Sequence, residues 1–160
     1  KVKEVTRARS VHIRLIGKIM KILICGLPGS GKSTLAEPLS VVLDAVWLNA
    51  DAVRERYDDW DFSPAGRMRQ ASRMQHLSDG VVSAKKVVIA DFIAPTAAIR
   101  EQFKPNYIIW MNTIEEGRYE DTNAMFESVT NANFTCVAWD NTKNIIEIVK
   151  HIKIVMNDNE

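Results

Sequence analysis

One stretch near the amino end constrains what this chain can fold into. Residues 26–33 read Gly-Leu-Pro-Gly-Ser-Gly-Lys-Ser, which matches G-x-x-x-x-G-K-[ST], and Thr34 follows. Ahead of it, Lys21–Cys25 (KILIC) is a short, nearly all-apolar run, the pattern of a strand buried on both faces. Behind it, Lys32–Leu43 sets Leu35, Leu39, Val42 and Leu43 at helical spacing, with Pro38 inside as a kink or an early stop.

A strand, a glycine turn and a helix in that order make a cradle for phosphate. Glycines let main-chain N–H groups turn inward, and the helix N-terminus favours an anion. Gly26, Leu27, Pro28, Gly29, Ser30, Gly31, Lys32, Ser33 and Thr34 are therefore expected around the phosphates of ATP. Lys32 would reach the β- and γ-phosphates, and the Ser33 hydroxyl would bind Mg²⁺. Chance alone produces the pattern on the order of once in two hundred chains of this length, so nucleotide binding is the reading adopted.

The rest of the chain alternates strand and helix. Ala45–Leu48 reads as a strand and Ala50–Tyr57 as a short helix. Ser63-Pro64 reads as an N-cap and first helical residue, opening a helix to about Val82 with Met68, Ala71, Met74 and Leu77 inward. Lys86–Asp91, Tyr107–Met111 and Phe134–Val137 read as strands, and Pro95–Phe103 as a helix. Asn141–Val155 closes the chain, with Ile145, Ile146, Ile148, Val149 and Ile152 inward. The expectation is α/β: a three-layer P-loop nucleoside triphosphate hydrolase fold on a mainly parallel five-stranded sheet.

Composition narrows the class. The 160 residues are 46% apolar and 26% charged, which suits a globular domain and excludes collagen, wholesale disorder and a disulfide-stapled miniprotein. No apolar run reaches the ~18–20 residues of a membrane helix. The net charge of +1 hides an asymmetry: Lys1–Ile19 carries six basic residues and one acid, and the remainder is mildly acidic. That segment reads as upstream sequence carried into the reading frame or as a flexible basic arm. Residues 20–160 read as a single kinase domain, with no general case for nucleic acid. Cys25 and Cys136 form no metal-spaced pair and point to a reducing cytoplasm. His12, His76 and His151 are scattered, and Trp47, Trp60, Trp110 and Trp139 read as packing residues.

The chain lacks the D-x-x-G and N-K-x-D motifs of a regulatory GTPase; Asn141–Asn144 is NTKN. Val87–Asp91 (VVIAD) ends in an acid, as in motor ATPases, but leaves no room for coupling machinery. A small phosphotransferase fits the length.

The segments GLPGSGKSTLAEPLS, LNADAVRERY, DFSPAGR and VVIADFIAP resemble the adenylylsulfate kinase family over about Met20 to Arg100. That family phosphorylates the ribose 3′-hydroxyl of adenylyl sulfate with MgATP. The family's D-G-D-x-x-R matches Asn49–Arg54. The resemblance makes Asp51 the base and a holder of Mg²⁺, and Arg54 a ligand of the acceptor's phosphosulfate. Alternatively, Asp51 is only the N-cap of its helix and Arg54 lies on a solvated face.

The family's G-F-S-x-x-D-R matches Asp61–Arg67, and F-I-S-P matches Phe92–Pro95. The resemblance implies acceptor contacts at Phe62, Arg67, Gln70, Phe92, Ile93 and Pro95, with Phe62 and Phe92 as walls around the acceptor adenine. Both phenylalanines read equally as core aromatics. Arg69 and Arg73 extend the anion site or sit on a solvated face. Asp91 holds the Mg²⁺ water shell or caps the helix after Pro95.

Departures fall on the acceptor side. Asn49 replaces the first acid, and Gln70 and Ser72 stand where the family has asparagine and arginine. The lid stretch Thr113–Phe126 is acidic, with Arg118 its only basic residue. Arg118 is the candidate catalytic lid arginine or a plain surface residue. The alternatives are a kinase of another hydroxyl (a nucleoside, a sugar or a polynucleotide 5′-end) and an ATP-binding module without turnover. The family's habit of pairing admits a homodimer. Lys32→Ala should abolish phosphoryl transfer without lowering the thermal midpoint; full turnover by that variant would contradict this reading.

Overall fold

Strand β1 (Lys21–Cys25) is buried at every residue, as a strand covered on both faces must be. The computed structural model describes residues 20–157, and the basic segment 1–19 lies outside the described residues. After β1 and the glycine turn come α1 (Lys32–Leu43), β2 (Val46–Asn49), α2 (Ala50–Tyr57) and α3 (Pro64–Ser83). They are followed by β3 (Val88–Asp91), α4 (Ala97–Phe103), β4 (Tyr107–Met111), α5 (Glu120–Met125), β5 (Phe134–Cys136) and α6 (Asn141–Asn157). The five strands form one sheet in the order β2-β3-β1-β4-β5, and every paired neighbour is parallel. This is the expected α/β P-loop fold.

Two apolar layers hold it together. On one face Ile22, Ile24, Ile89 and Ile109 meet Leu35, Leu39 and Leu43 of α1 and Ile148 and Ile152 of α6. On the other, Leu23, Cys25, Ala90 and Ile108 meet Val53 of α2, Met74 of α3 and Phe103 of α4. The chain runs outward from β1 to β2, returns through β3, and crosses β1 to reach β4. Its direction of travel therefore reverses beside β1, which opens a crevice at the carboxyl ends of the strands. Register places Asn49, Asp91 and Ile24 level on three adjacent strands at that end.

Several expectations shift. Pro38 does not end α1, which continues to Leu43. Its missing N–H would leave the Thr34 carbonyl unpaired, and the Asn141 side chain donates to that carbonyl at 3.3 Å. Met68 and Ile146, expected inward, are half-exposed. The buried face of α3 runs through Gln70, Ala71, Met74 and Ser78, which leaves Met68 on the far side of the helix. On α6 the buried residues are Asn144, Ile148 and Ile152, a spacing of four that excludes Ile146. α4 begins after Thr96 rather than at Pro95, because the Thr96 hydroxyl accepts from Ile99 N at 3.2 Å. The acidic stretch contains a short helix, α5, that the periodicity does not show. His151 accepts or donates a 2.7 Å hydrogen bond with Tyr107, a structural contact at the other end of the sheet.

Both described cysteines are buried. Burial pushes the Cys25 thiol up to about 12 and the Cys136 thiol up to about 11. Neither is a thiolate near neutrality. Alkylation of the native protein should therefore proceed only as fast as unfolding exposes the thiols. Prompt labelling of either cysteine under native conditions would contradict this.

Candidate active site

The phosphate loop is the turn between β1 and α1. Gly29 and Gly31 hold φ of +82° and +99°, conformations that side chains resist. Gly31 also meets a neighbour: a Cβ there would lie 2.9 Å from the Trp139 ring. At Gly29 the same atom would meet nothing within 4 Å. Lys32 folds back over the loop, with Nζ donating to the Leu27 carbonyl at 3.0 Å. Burial pulls its pKa down, while the charges of Asp91 and Asp51 push it back up.

Asp91, at the end of β3, is 2% exposed, and one of its oxygens is the hub of the site. Its Oδ2 accepts from Ser33 Oγ at 3.0 Å, Trp47 Nε1 at 3.1 Å and Asn49 Nδ2 at 2.9 Å. Three donors compensate a buried carboxylate. Asn49 also donates to Ser33 Oγ at 2.9 Å, and its Oδ1 accepts from Ala52 N at 2.9 Å. Asn49, rather than Asp51, is thus the N-cap of α2. Asp51 is exposed in the first turn. The capping role offered for Asp91 is also overturned, since Thr96 caps α4.

Ser33 and Asp91 present hard oxygen donors side by side, the donor chemistry Mg²⁺ selects. Two protein donors leave most of an octahedron to water and phosphate, the usual way this ion is held. The residues present therefore fit Mg²⁺ with a triphosphate.

Away from the phosphate loop, Arg54 is 5% exposed, so the solvated-face reading fails. Its Nη1 donates to the carbonyls of Asp59 and Asp61 at 2.9 and 3.2 Å, and its guanidinium stacks on Phe62 at 4.4 Å. Arg67 donates from Nε to the Phe62 carbonyl at 3.0 Å and from Nη2 to Asp121 at 3.0 Å and Thr122 at 3.3 Å. Phe62 is half-exposed. Gln70 donates to the Ala50 carbonyl at 3.0 Å. Arg69 and Arg73 are bound to Asp59, and Arg69 to Asp61 as well. Those hydrogen bonds hold the Asp59 carboxyl far below its ordinary range. The two arginines therefore do not extend an anion site. Phe92 belongs to the core, edge-on to Phe103 with ring centroids 5.4 Å apart.

One cavity of about 320 Å³ gathers these groups. It is lined by Lys32, Ser33 and Thr34; by Asp51 and Asp91; by Arg54, Phe62, Arg67 and Gln70; by Phe92, Ile93 and Pro95; and by Arg118. Pro28, Gly29 and Gly31 line it too, while Gly26, Leu27 and Ser30 lie buried behind the loop. Three residues stand at the site that the sequence reading did not assign to it. Trp139 lines the cavity against Gly31 and is half-exposed. Its position next to the N-terminus of α6 gives no motif signal. Trp47 and Asn49 reach Asp91 only across paired strands.

Comparison with known proteins fits this geometry. Residues 18–114 match the family model for adenylylsulphate kinase. No curated protein matches by sequence. Among solved structures, the Mycobacterium tuberculosis APS kinase in complex with AMPPNP and APS superposes with a TM-score of 0.73 at 18% identity, covering 84% of this chain and 97% of that one. A gluconokinase from Sinorhizobium meliloti gives 0.65 at 12% identity, covering 87% and 94%. The shikimate kinase of Aquifex aeolicus gives 0.64 at 14%, covering 84% and 96%. At these identities the superpositions establish the fold.

The glycine geometry yields a paired test. Gly29→Ala should cost only the left-handed strain, about 1–2 kcal/mol. Gly31→Ala should cost more, because its methyl meets Trp139, and Trp139→Ala should erase the difference. Equal thermal midpoints for the two glycine variants would contradict the contact.

Proposed function

The chain belongs to the adenylylsulphate kinase family, and from that premise we propose that it transfers the γ-phosphoryl group of ATP to the ribose 3′-hydroxyl of adenylyl sulfate. The observation that carries the reading is the shared cavity, which joins a phosphate loop to an arginine-and-aromatic wall through Asp51 and Asp91.

The loop amides and Lys32 hold the triphosphate of the donor. Lys32 leaves the Leu27 carbonyl to do so, exchanging a neutral partner for a charged one. Ser33 and Asp91 would hold Mg²⁺, which would supply charge neutralisation for the triphosphate. Asp51, exposed and free to approach the acceptor hydroxyl, accepts its proton. Arg118 faces the transferring group from the lid and stabilises charge on its equatorial oxygens. Arg54 and Arg67 attract the acceptor's anionic end, and Phe62 offers a face to its base. Phe92, Ile93 and Pro95 close the apolar side of that pocket, with Gln70 at its floor. Trp139 offers the donor base a stacking surface on the opposite side of the loop.

A second reading is favoured by the charge count at the acceptor wall. Arg67 is already shared with Asp121, and Arg69 and Arg73 with Asp59. Less positive charge remains there than the arginine count suggests, which suits a hydroxyl on a less anionic molecule such as a sugar. Coupled assay of ADP release over a panel of acceptors separates the two. Acceleration by adenylyl sulfate alone supports the first reading, and acceleration only by a sugar or nucleoside overturns it. With the productive acceptor, Asp51→Asn should lower kcat by about 10²–10⁴-fold; an unchanged kcat would remove Asp51 from the mechanism.

A further inference from the structure

Arg118 lines the cavity, yet among the described residues it makes no hydrogen bond or ion pair of its own. An unpaired, exposed arginine has many rotamers and little reason to stay over a phosphate loop. What fixes its position is the backbone immediately before it. The Asn123 amide grips Gly117 at two points: Oδ1 accepts from Gly117 N at 2.7 Å, and Nδ2 donates to the Gly117 carbonyl at 3.0 Å. Gly117 in turn lies against the phosphate loop, where a Cβ would stand 3.1 Å from the Pro28 carbonyl oxygen.

The rest of the lid is tied down on both sides of this grip. Thr113 donates to the Ser30 carbonyl at 2.6 Å, which joins the start of the lid to the phosphate loop. Asp121 and Thr122 accept from Arg67, which joins α5 to the acceptor wall. Asparagine is a poor residue inside a helix as short as α5. Its side chain reaches back across six residues instead of facing solvent.

We propose that Asn123 is a positioning residue for Arg118: its amide clamps Gly117 to α5 where Gly117 packs against Pro28 of the phosphate loop, so that Arg118 is held beside the donor site before any acceptor arrives. The inference rests on the phosphotransfer reading above for what Arg118 does there, but the clamp can be tested without an acceptor. Trypsin cleaves after Arg118, and AMPPNP is a donor analogue that cannot be turned over. In the wild-type chain AMPPNP should protect the Arg118–Tyr119 bond. In Asn123→Ala that protection should fall at least several-fold while AMPPNP affinity stays within about twofold, because the loop amides and Lys32 are untouched.

With the productive acceptor from the panel, Asn123→Ala should lower kcat by about 10- to 100-fold, the cost of a misplaced group, with KM for ATP nearly unchanged. In an Arg118→Ala background the same change should cost less than about twofold, since nothing remains to be positioned. Asn123→Asp keeps the acceptor for Gly117 N but loses the donor to its carbonyl, and should fall between wild type and Asn123→Ala. Equal AMPPNP protection in wild type and Asn123→Ala overturns the proposal, as do multiplicative effects of the two alanine variants. If no acceptor is phosphorylated, the phosphotransfer reading fails, and the protection experiment still decides the clamp.

Discussion

The Asp91 carboxylate organises the site more than any other group. It is buried at the end of β3, and a single oxygen takes hydrogen bonds from Ser33, Trp47 and Asn49. Those donors come from the helix after the phosphate loop and from the neighbouring strand. A buried charge stripped of such partners would cost several kcal/mol. The carboxylate therefore fixes how the loop, β2 and β3 sit against one another. Asn49 extends the hold to α2, because the same side chain caps the helix that bears Asp51 and Arg54. The proposed proton acceptor, metal pair and acceptor arginine are thus carried on one connected frame.

An amide at position 49 is chemically consistent with that frame. A carboxylate there would face Asp91 with two like charges in contact, and one of them would have to take up a proton. The amide donates to both Asp91 and Ser33 instead. Departure from the family pattern at this position is therefore compatible with a tightly connected site, and it reduces the negative charge around the hydroxyl of Ser33. On the other wall the arithmetic of charge runs the opposite way. Four arginines cluster near Phe62, but Asp59, Asp61 and Asp121 engage three of them. Arg54 keeps its place by binding main-chain carbonyls and an aromatic face, so its own charge is not cancelled by a carboxylate partner.

Much of this was legible in the sequence because it is local. The KILIC strand, the glycine loop and the α1 helix are contiguous, and their periodicities and turn chemistry name them without ambiguity. Ser63-Pro64 likewise announces α3, and the Ser63 hydroxyl accepts from Gly66 N at 3.2 Å. What was not legible depends on pairing across the sheet or on contacts between distant segments. Nothing in the order of residues shows that Asn141 compensates Pro38, that Trp47 meets Asp91, or that Asp59 absorbs Arg69 and Arg73. The lid is the extreme case. Its helix is six residues long and is held by Asn123 reaching back to Gly117 and by Arg67 reaching across from α3, so no periodic signal marks it.

The central claim is that main-chain amides of residues 26–33, aided by Lys32, grip a triphosphate. Titration calorimetry of the wild-type chain with ATP and with inorganic tripolyphosphate, in the presence of Mg²⁺, tests it directly. The account predicts saturable binding of both at a one-to-one ratio, with ATP tighter because its base gains a stacking surface. Absence of any binding heat from either would contradict it.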